Sequence, residues 1–166
     1  SGQLVIQLNY ILKNPNIQGS VFFSSKSITN NPLGVADSLA SNYYKRISLP
    51  PLMHWLDSIA PNKPQNLKVK KDNSSIIISW SKPQKAIDND EAYGYVVYRF
   101  EGNAEPDINN AEAIKAVFYS KSTAWQDTQI EKDRSYTYVV TALDRVKNES
   151  EPSEPILFKT DKSLGM

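Results

Sequence analysis

Apolar and polar positions alternate through most of the chain beyond Pro61. Gln65 to Lys71 alternates through Leu67 and Val69, and Ser75 to Ser81 through Ile76, Ile78 and Trp80. Tyr93 to Phe100 sets Tyr95 and Val97 inward against Val96 and Tyr98 outward. Ser122 to Asp127 carries Trp125, and Ile156 to Thr160 follows Pro152 and Pro155. Ser135 to Asp144 has the clearest pattern: Tyr136, Tyr138, Val140 and Ala142 share one face, Thr137, Val139 and Thr141 the other. Period-2 runs rich in aromatic and β-branched residues predict half-buried strands. Ala113 to Ser120 completes the set, although its start, 111–115, also tolerates helix. Seven short strands in about a hundred residues, separated by turn signals, predict an antiparallel β-sandwich. The prolines ahead of the last strand suit an edge, where a missing N–H donor is tolerated.

The first sixty residues read differently. Leu4, Leu8, Ile11 and Leu12 make a helical stripe that ends at Asn14-Pro15, since proline disfavours helix in the residue before it. Gly19 to Ser25 is a continuous apolar run between small residues and predicts a strand buried on both faces, as in a parallel sheet. Asn31-Pro32-Leu33-Gly34 is a turn. Val35 to Tyr44 is a second helix, with Val35, Leu39 and Tyr43 in line and Asp37 near its positive end. Helix, strand, helix is a piece of an α/β architecture. A lone buried strand leaves its backbone groups unpaired, so the segment needs cover from the connector, the sandwich or a second copy of the chain. Lys45 to Pro64, with four prolines, is a connector, yet Leu49, Leu52, Met53, Trp55, Leu56 and Ile59 make it too apolar to hang free.

Composition narrows the function classes. The 166 residues are 40% apolar, enough for a packed core, and carry a net charge of +1 with acids and bases mixed. Such a balance offers no basic patch for nucleic acid or an anionic membrane. There is no cysteine, hence no disulfide or thiolate chemistry. No run approaches the roughly 18 apolar residues of a membrane span. Ser1-Gly2 reads as a cloning remnant, so the lack of a leader sequence says nothing of location.

Two resemblances follow from specific residues. Pro64-x-x-Leu67-x-Val69, Trp80-x-x-Pro83, Gly94-Tyr95-x-Val97-Tyr98-Arg99, Asp127-x-x-Ile130, Tyr136-x-Tyr138-x-Val140-x-Ala142 and Asn148-Glu149-Ser150 followed by Ser153 together resemble a fibronectin type III domain. The resemblance implies Trp80 in the core and Tyr136 as the tyrosine corner. No Arg-Gly-Asp stretch is present, so integrin recognition is not implied. Asn14-Pro15-x-x-Gln18-Gly19-Ser20-x-Phe22-Phe23-Ser24-Ser25-Lys26-Ser27, with Asn31-Pro32-Leu33-Gly34-x-x-Asp37-Ser38-Leu39 and Tyr43-Tyr44, resembles the end of the glycosyl-hydrolase-like barrel of bacterial lipoproteins. These are related to family 10 glycoside hydrolases and common in Bacteroides-type bacteria. The implied organisation is a mainly β chain: residues 1–46 as the last helix–strand–helix of a (β/α)8 barrel, 47–63 as connector, 64–160 as the seven-stranded sandwich and 161–166 as a tail. The implied location is the cell surface or periplasm.

Candidate chemistry is sparse. Glycoside hydrolysis needs two carboxylates across the scissile bond. The barrel piece offers Asp37, better read as a helix-start residue, and the connector offers Asp57. No catalytic residue is therefore expected here. Ser24, Ser25 and Lys26 fall where a barrel strand would end, the edge at which barrel active sites form, and are substrate-cleft candidates in an intact parent, or plain turn residues. Trp55 is a candidate for stacking on a sugar ring, or for packing the connector. Asp88-Asn89-Asp90-Glu91 has oxygen ligands but not the spacing of a calcium loop, and reads as a solvated loop. His54 stands alone, so no metal and no cofactor is expected. The expected partners are the missing barrel of the parent chain, a polysaccharide, or a second copy joined through the N-terminal segment. The preferred reading is a non-catalytic accessory sandwich, a spacer or brace. A carbohydrate-binding module, which needs coplanar exposed rings from among Trp55, Trp125, Tyr98 and Phe118, is the alternative. Retained hydrolase activity comes last.

Overall fold

The structure is a computed structural model and describes residues 2–17 and 19–160; Gln18 and the predicted tail lie outside the described residues. The chain divides into two compact units, Ser1–Lys45 and Arg46–Met166.

The first unit is helical. Helix α1, Gly2–Lys13, ends where Asn14-Pro15 predicts. Its stripe buries Leu8 and half-buries Leu4 and Ile11, while Leu12 stays exposed. A five-residue helix α2, Ser25–Thr29, precedes a 3-10 turn at Pro32–Gly34 and helix α3, Val35–Asn42. Asn31, in the left-handed region, caps α3 from before it. Its Oδ1 accepts from the Ala36 N–H at 2.8 Å, and its Nδ2 donates to Asp37 at 2.8 Å. The predicted strand does not form: residues 19–23 have no ladder partner. Val21 is 98% exposed and Phe23 100%, with Phe22 half-buried between them. The physical reason is that a parallel-type strand exists only through neighbours, and among the described residues none is offered.

The second unit is the predicted sandwich. Strands β1 (Gln65–Asp72), β2 (Ser75–Ser81) and β5 (Ala124–Asp127) form one antiparallel sheet in the order β1-β2-β5. Strands β3 (Gly94–Glu101), β4 (Ile114–Phe118), β6 (Ser135–Leu143) and β7 (Ile156–Lys159) form the other in the order β4-β3-β6-β7. The helix-tolerant start of the fourth strand becomes a 3-10 turn, Ala111–Ala113, capped by the Asn110 side chain. Strand β7 takes the edge, as its prolines require. Between the sheets lie Ile76, Ile78, Trp80, Tyr95, Val97, Tyr136, Tyr138, Val140 and Ala142, all buried. Trp80 meets Tyr95 edge to face at 5.1 Å. The Tyr136 hydroxyl accepts from the Glu131 N–H at 2.9 Å, closing the tyrosine corner.

One expectation is corrected here. Strand β6 is not half-buried: every residue after Ser135 is buried, on both faces. A second apolar cluster, Val96, Tyr98, Phe100, Ala113, Ile114, Val139 and Leu143, lies on the other face of the four-stranded sheet, with Leu49 and Ile108 packed against it. Leu49 comes from the connector and Ile108 from the loop before the 3-10 turn. The connector is tied down at polar points as well. Arg46 pairs with Glu112, and the Asn148 side chain donates to the Asp57 carbonyl at 3.1 Å. Further along, Asn62 donates to the Lys85 carbonyl at 2.9 Å. A strand clothed on one side by its partner sheet and on the other by a strap is buried twice over.

Candidate functional site

The buried carboxylates serve the scaffold. Asp127 accepts from Arg99 Nη1 at 2.8 Å, from the Tyr138 hydroxyl at 2.9 Å and from the Gln129 N–H at 2.9 Å. Burial works against the Arg99 charge, but Asp127 more than offsets it and its pKa is raised. Burial, then Asp127, pushes the Tyr138 phenol far up. Glu149 accepts from the Tyr98 and Thr141 hydroxyls, each at 2.6 Å. Burial, then that carboxylate, raises Tyr98 likewise. Asp144 accepts from the Asn148 N–H and side-chain amide, each at 2.9 Å, shaping the turn after β6. These bonds tie neighbouring strands and turns of the sandwich together.

Ser24, Ser25 and Lys26 sit at the start of α2. Ser24 takes the N-cap place without a side-chain bond, and Ser25 and Lys26 are exposed. Among the described residues Lys26 has no ion-pair partner. Trp55 is 78% exposed in a turn of the connector and, among the described residues, has no ring in contact. The other rings named for a platform do not join it. Tyr98 is fully buried in the outer cluster, while Trp125 and Phe118 pack against the inter-sheet core.

The fold brings together two sets of residues that the chain order separates. Asp57, Asp88 and Asp90 each present a carboxylate oxygen, all within 4.8 Å of one another. Arg145 stands 3.8 Å from Asp90, and the Ile59 and Asp90 N–H groups donate to Asp57 and Asp88, so part of that charge is answered locally. The second set centres on Tyr93 and Tyr119, just outside the paired ends of β3 and β4. Their rings lie 6.0 Å apart at 33° and remain 48% and 43% exposed. The Lys147 ammonium is 3.9 Å over the Tyr119 ring and 4.8 Å over Tyr93. Gly94 makes the arrangement possible, because a Cβ there would meet the Phe118 carbonyl at 2.6 Å and the Tyr119 ring at 2.9 Å. The two rings floor a cleft of about 350 Å³ walled by the 89–91 loop, Ser120, Lys121 and Arg145. Glu91 is tied to Lys82 at 2.6 Å, which holds its carboxyl below the ordinary value. The sequence signal for this pair was a tyrosine at each outer end of two predicted strands. Only the β3–β4 register, with Tyr95 opposite Phe118, makes them neighbours.

The fibronectin type III domain model matches residues 62–159. The chain belongs to the fibronectin type III family. A twitchin kinase region from C. elegans shares the fold at a TM-score of 0.51 with 16% identity, covering 64% of this chain and 18% of that one. An Fn3-like protein from Clostridium thermocellum superposes at 0.47 with 21% identity, over 61% of this chain and 94% of its own. Among curated proteins, Glycosyl hydrolase YngK of Bacillus subtilis (strain 168) is 35% identical over 139 residues, which is 83% of this chain and 26% of that protein. Amylopullulanase of Thermoanaerobacterium saccharolyticum is 28% identical over 103 residues, 58% of this chain and 7% of that protein. The likeness to YngK reaches past the fibronectin type III domain, and the chain spans about a quarter of that relative's length. Among the described residues no helix is long and apolar enough to cross a membrane.

Proposed function

We propose that this fibronectin type III domain is a non-catalytic brace within a larger glycosyl-hydrolase-like protein, and that residues 1–46 are the end of that protein's barrel. The observation that carries the reading is the strap: Leu49 packs on the outer cluster of the four-stranded sheet, Arg46 pairs with Glu112 in the 3-10 turn and the Asp57 carbonyl is held by Asn148 after β6. A spacer that only separates domains needs a flexible, polar linker. A linker built into the sandwich's own second core instead fixes how the sandwich is presented to whatever precedes it. The helical unit supports the other half of the proposal. It exposes Val21, Phe23, Leu33 and Leu12, the surface expected of a segment whose partner is the missing barrel. The likeness to YngK beyond the sandwich points the same way. With this reading goes a parent at the cell surface or in the periplasm.

The test uses a chain that carries the complete barrel, with and without residues 62–160. Bracing predicts that the deletion lowers the midpoint of barrel unfolding and leaves turnover per folded molecule unchanged. The shorter chain, 1–166, should turn over no chromogenic glycoside. Lost turnover at an unchanged midpoint would assign the sandwich to chemistry instead.

A further inference from the structure

We infer that the Tyr93–Tyr119 cleft is a saccharide-binding subsite. The inference does not rest on the bracing role. A pyranose ring presents an apolar face of C–H groups and a rim of hydroxyls that donate and accept. It therefore needs an exposed aromatic floor with polar side chains at the edge. The cleft supplies both: two tilted tyrosine rings, half exposed, and a wall of Asn89, Asp90, Glu91, Ser120, Lys121 and Arg145. Its volume of about 350 Å³ falls in the range of sites that take a small ligand.

The charges argue for a neutral ligand. Lys85, Lys121 and Arg145 share the wall with Asp90 and Glu91, so an anion meets carboxylates and a cation meets amines. Arg145 and Asp90 stand 3.8 Å apart, beyond hydrogen-bond length, so neither spends a hydrogen bond on the other. Aromatic-lined grooves also take proline-rich peptides, but such a peptide has few groups to answer this charged rim, and a polyol has many.

The floor is also held ready. Lys147 lies over both rings, and it is not among the residues that line the cleft. Gly94 admits the Tyr119 ring against the backbone. The 86–90 turn is closed by the Ala86 N–H to the Asp90 carbonyl at 2.9 Å. Rings and walls fixed beforehand spare a weak ligand the cost of ordering them.

The experiment titrates the 166-residue chain with maltohexaose, cellohexaose and xylohexaose, following amide shifts by NMR. At least one should bind saturably with a Kd of about 1 mM or tighter, moving the amides of 89–93 and 119–121. Tyr119→Ala should weaken it about ten-fold, the loss of one stacked ring, and Tyr119→Phe should largely keep it. Trp55→Ala should leave it unchanged. Tyrosine-corner and core shifts that stay in place show that the variants fold, and Lys121→Ala, on the exposed wall, gives a second loss that does not touch the floor. No saturable binding to any of the three, binding that survives Tyr119→Ala, or binding of a proline-rich decapeptide in place of the sugars would overturn the assignment.

Discussion

The runs Gly19–Ser25 and Ser75–Ser81 are both short apolar stretches between small polar residues. In the second, Ile76 and Ile78 are wholly buried and Trp80 is 5% exposed; in the first, Phe23 is fully exposed. Strand β2 has β1 on one side, β5 on the other and a facing sheet across the core. The first run has none of these among the described residues. Apolar content by itself does not make a strand. A strand exists where other segments of the same chain satisfy its backbone and cover its side chains.

The contrast is sharpest at two aromatic positions. Trp80→Ala should cost the sandwich about 3–5 kcal/mol, the usual range for emptying a large aromatic site in a core. Phe23→Ala should leave the same transition within about 0.5 kcal/mol. Urea unfolding followed by circular dichroism checks both. An equal loss at Phe23 would show that the first run is covered after all.

A milder perturbation probes the sandwich's two coats. Leu49 is half-buried in the outer cluster, so Leu49→Ala should cost about 1 kcal/mol. Hydrogen exchange should rise along residues 46–60 and at Val96 and Val139 before it rises at Ile76 or Ile78. Uniform loosening of both clusters would mean that the strap is not a separate layer.

The smallest effect is set by pH. The Tyr98 and Tyr138 phenols are held above their ordinary 10.0, first by burial and then by Glu149 and Asp127. A phenol whose pKa is raised on folding adds stability that is intact below pH 10 and drains away as pH rises past that value. Tyr98 and Tyr138 should therefore stay protonated in the folded chain above pH 10 and add tyrosinate absorbance only as the sandwich unfolds. Ionisation of Tyr98 and Tyr138 near pH 10 in a chain that is still folded would contradict the burial described.

Much of the sandwich was legible because alternation, turn residues and the Tyr136 corner are local signals. The covered outer face was less so. Thr137 and Thr141 made that side of β6 look wet, while Val96, Tyr98 and Phe100 on β3 already marked it as apolar. An apolar set on both faces of one strand is the signature of a strand with two coats. The strand expected at 19–25 failed for the converse reason, since an apolar run records what a segment would bury against and not whether the partner is at hand. The tyrosine cleft and the Asp57, Asp88 and Asp90 group were illegible because each joins residues that only the sheet register and the strap's path bring near. Trp55 was legible as a choice between stacking and packing, and it stands 78% exposed in the turn of the connector.

The strap also redraws where this unit begins. The family's usual boundary, at residue 62, falls after Leu49, Arg46 and Asp57. A recombinant piece trimmed there would lose Leu49 from the outer cluster of Val96, Tyr98, Val139 and Leu143, baring apolar surface that invites self-association. The compact unit starts at Arg46, some way upstream of the place where its kinship becomes recognisable.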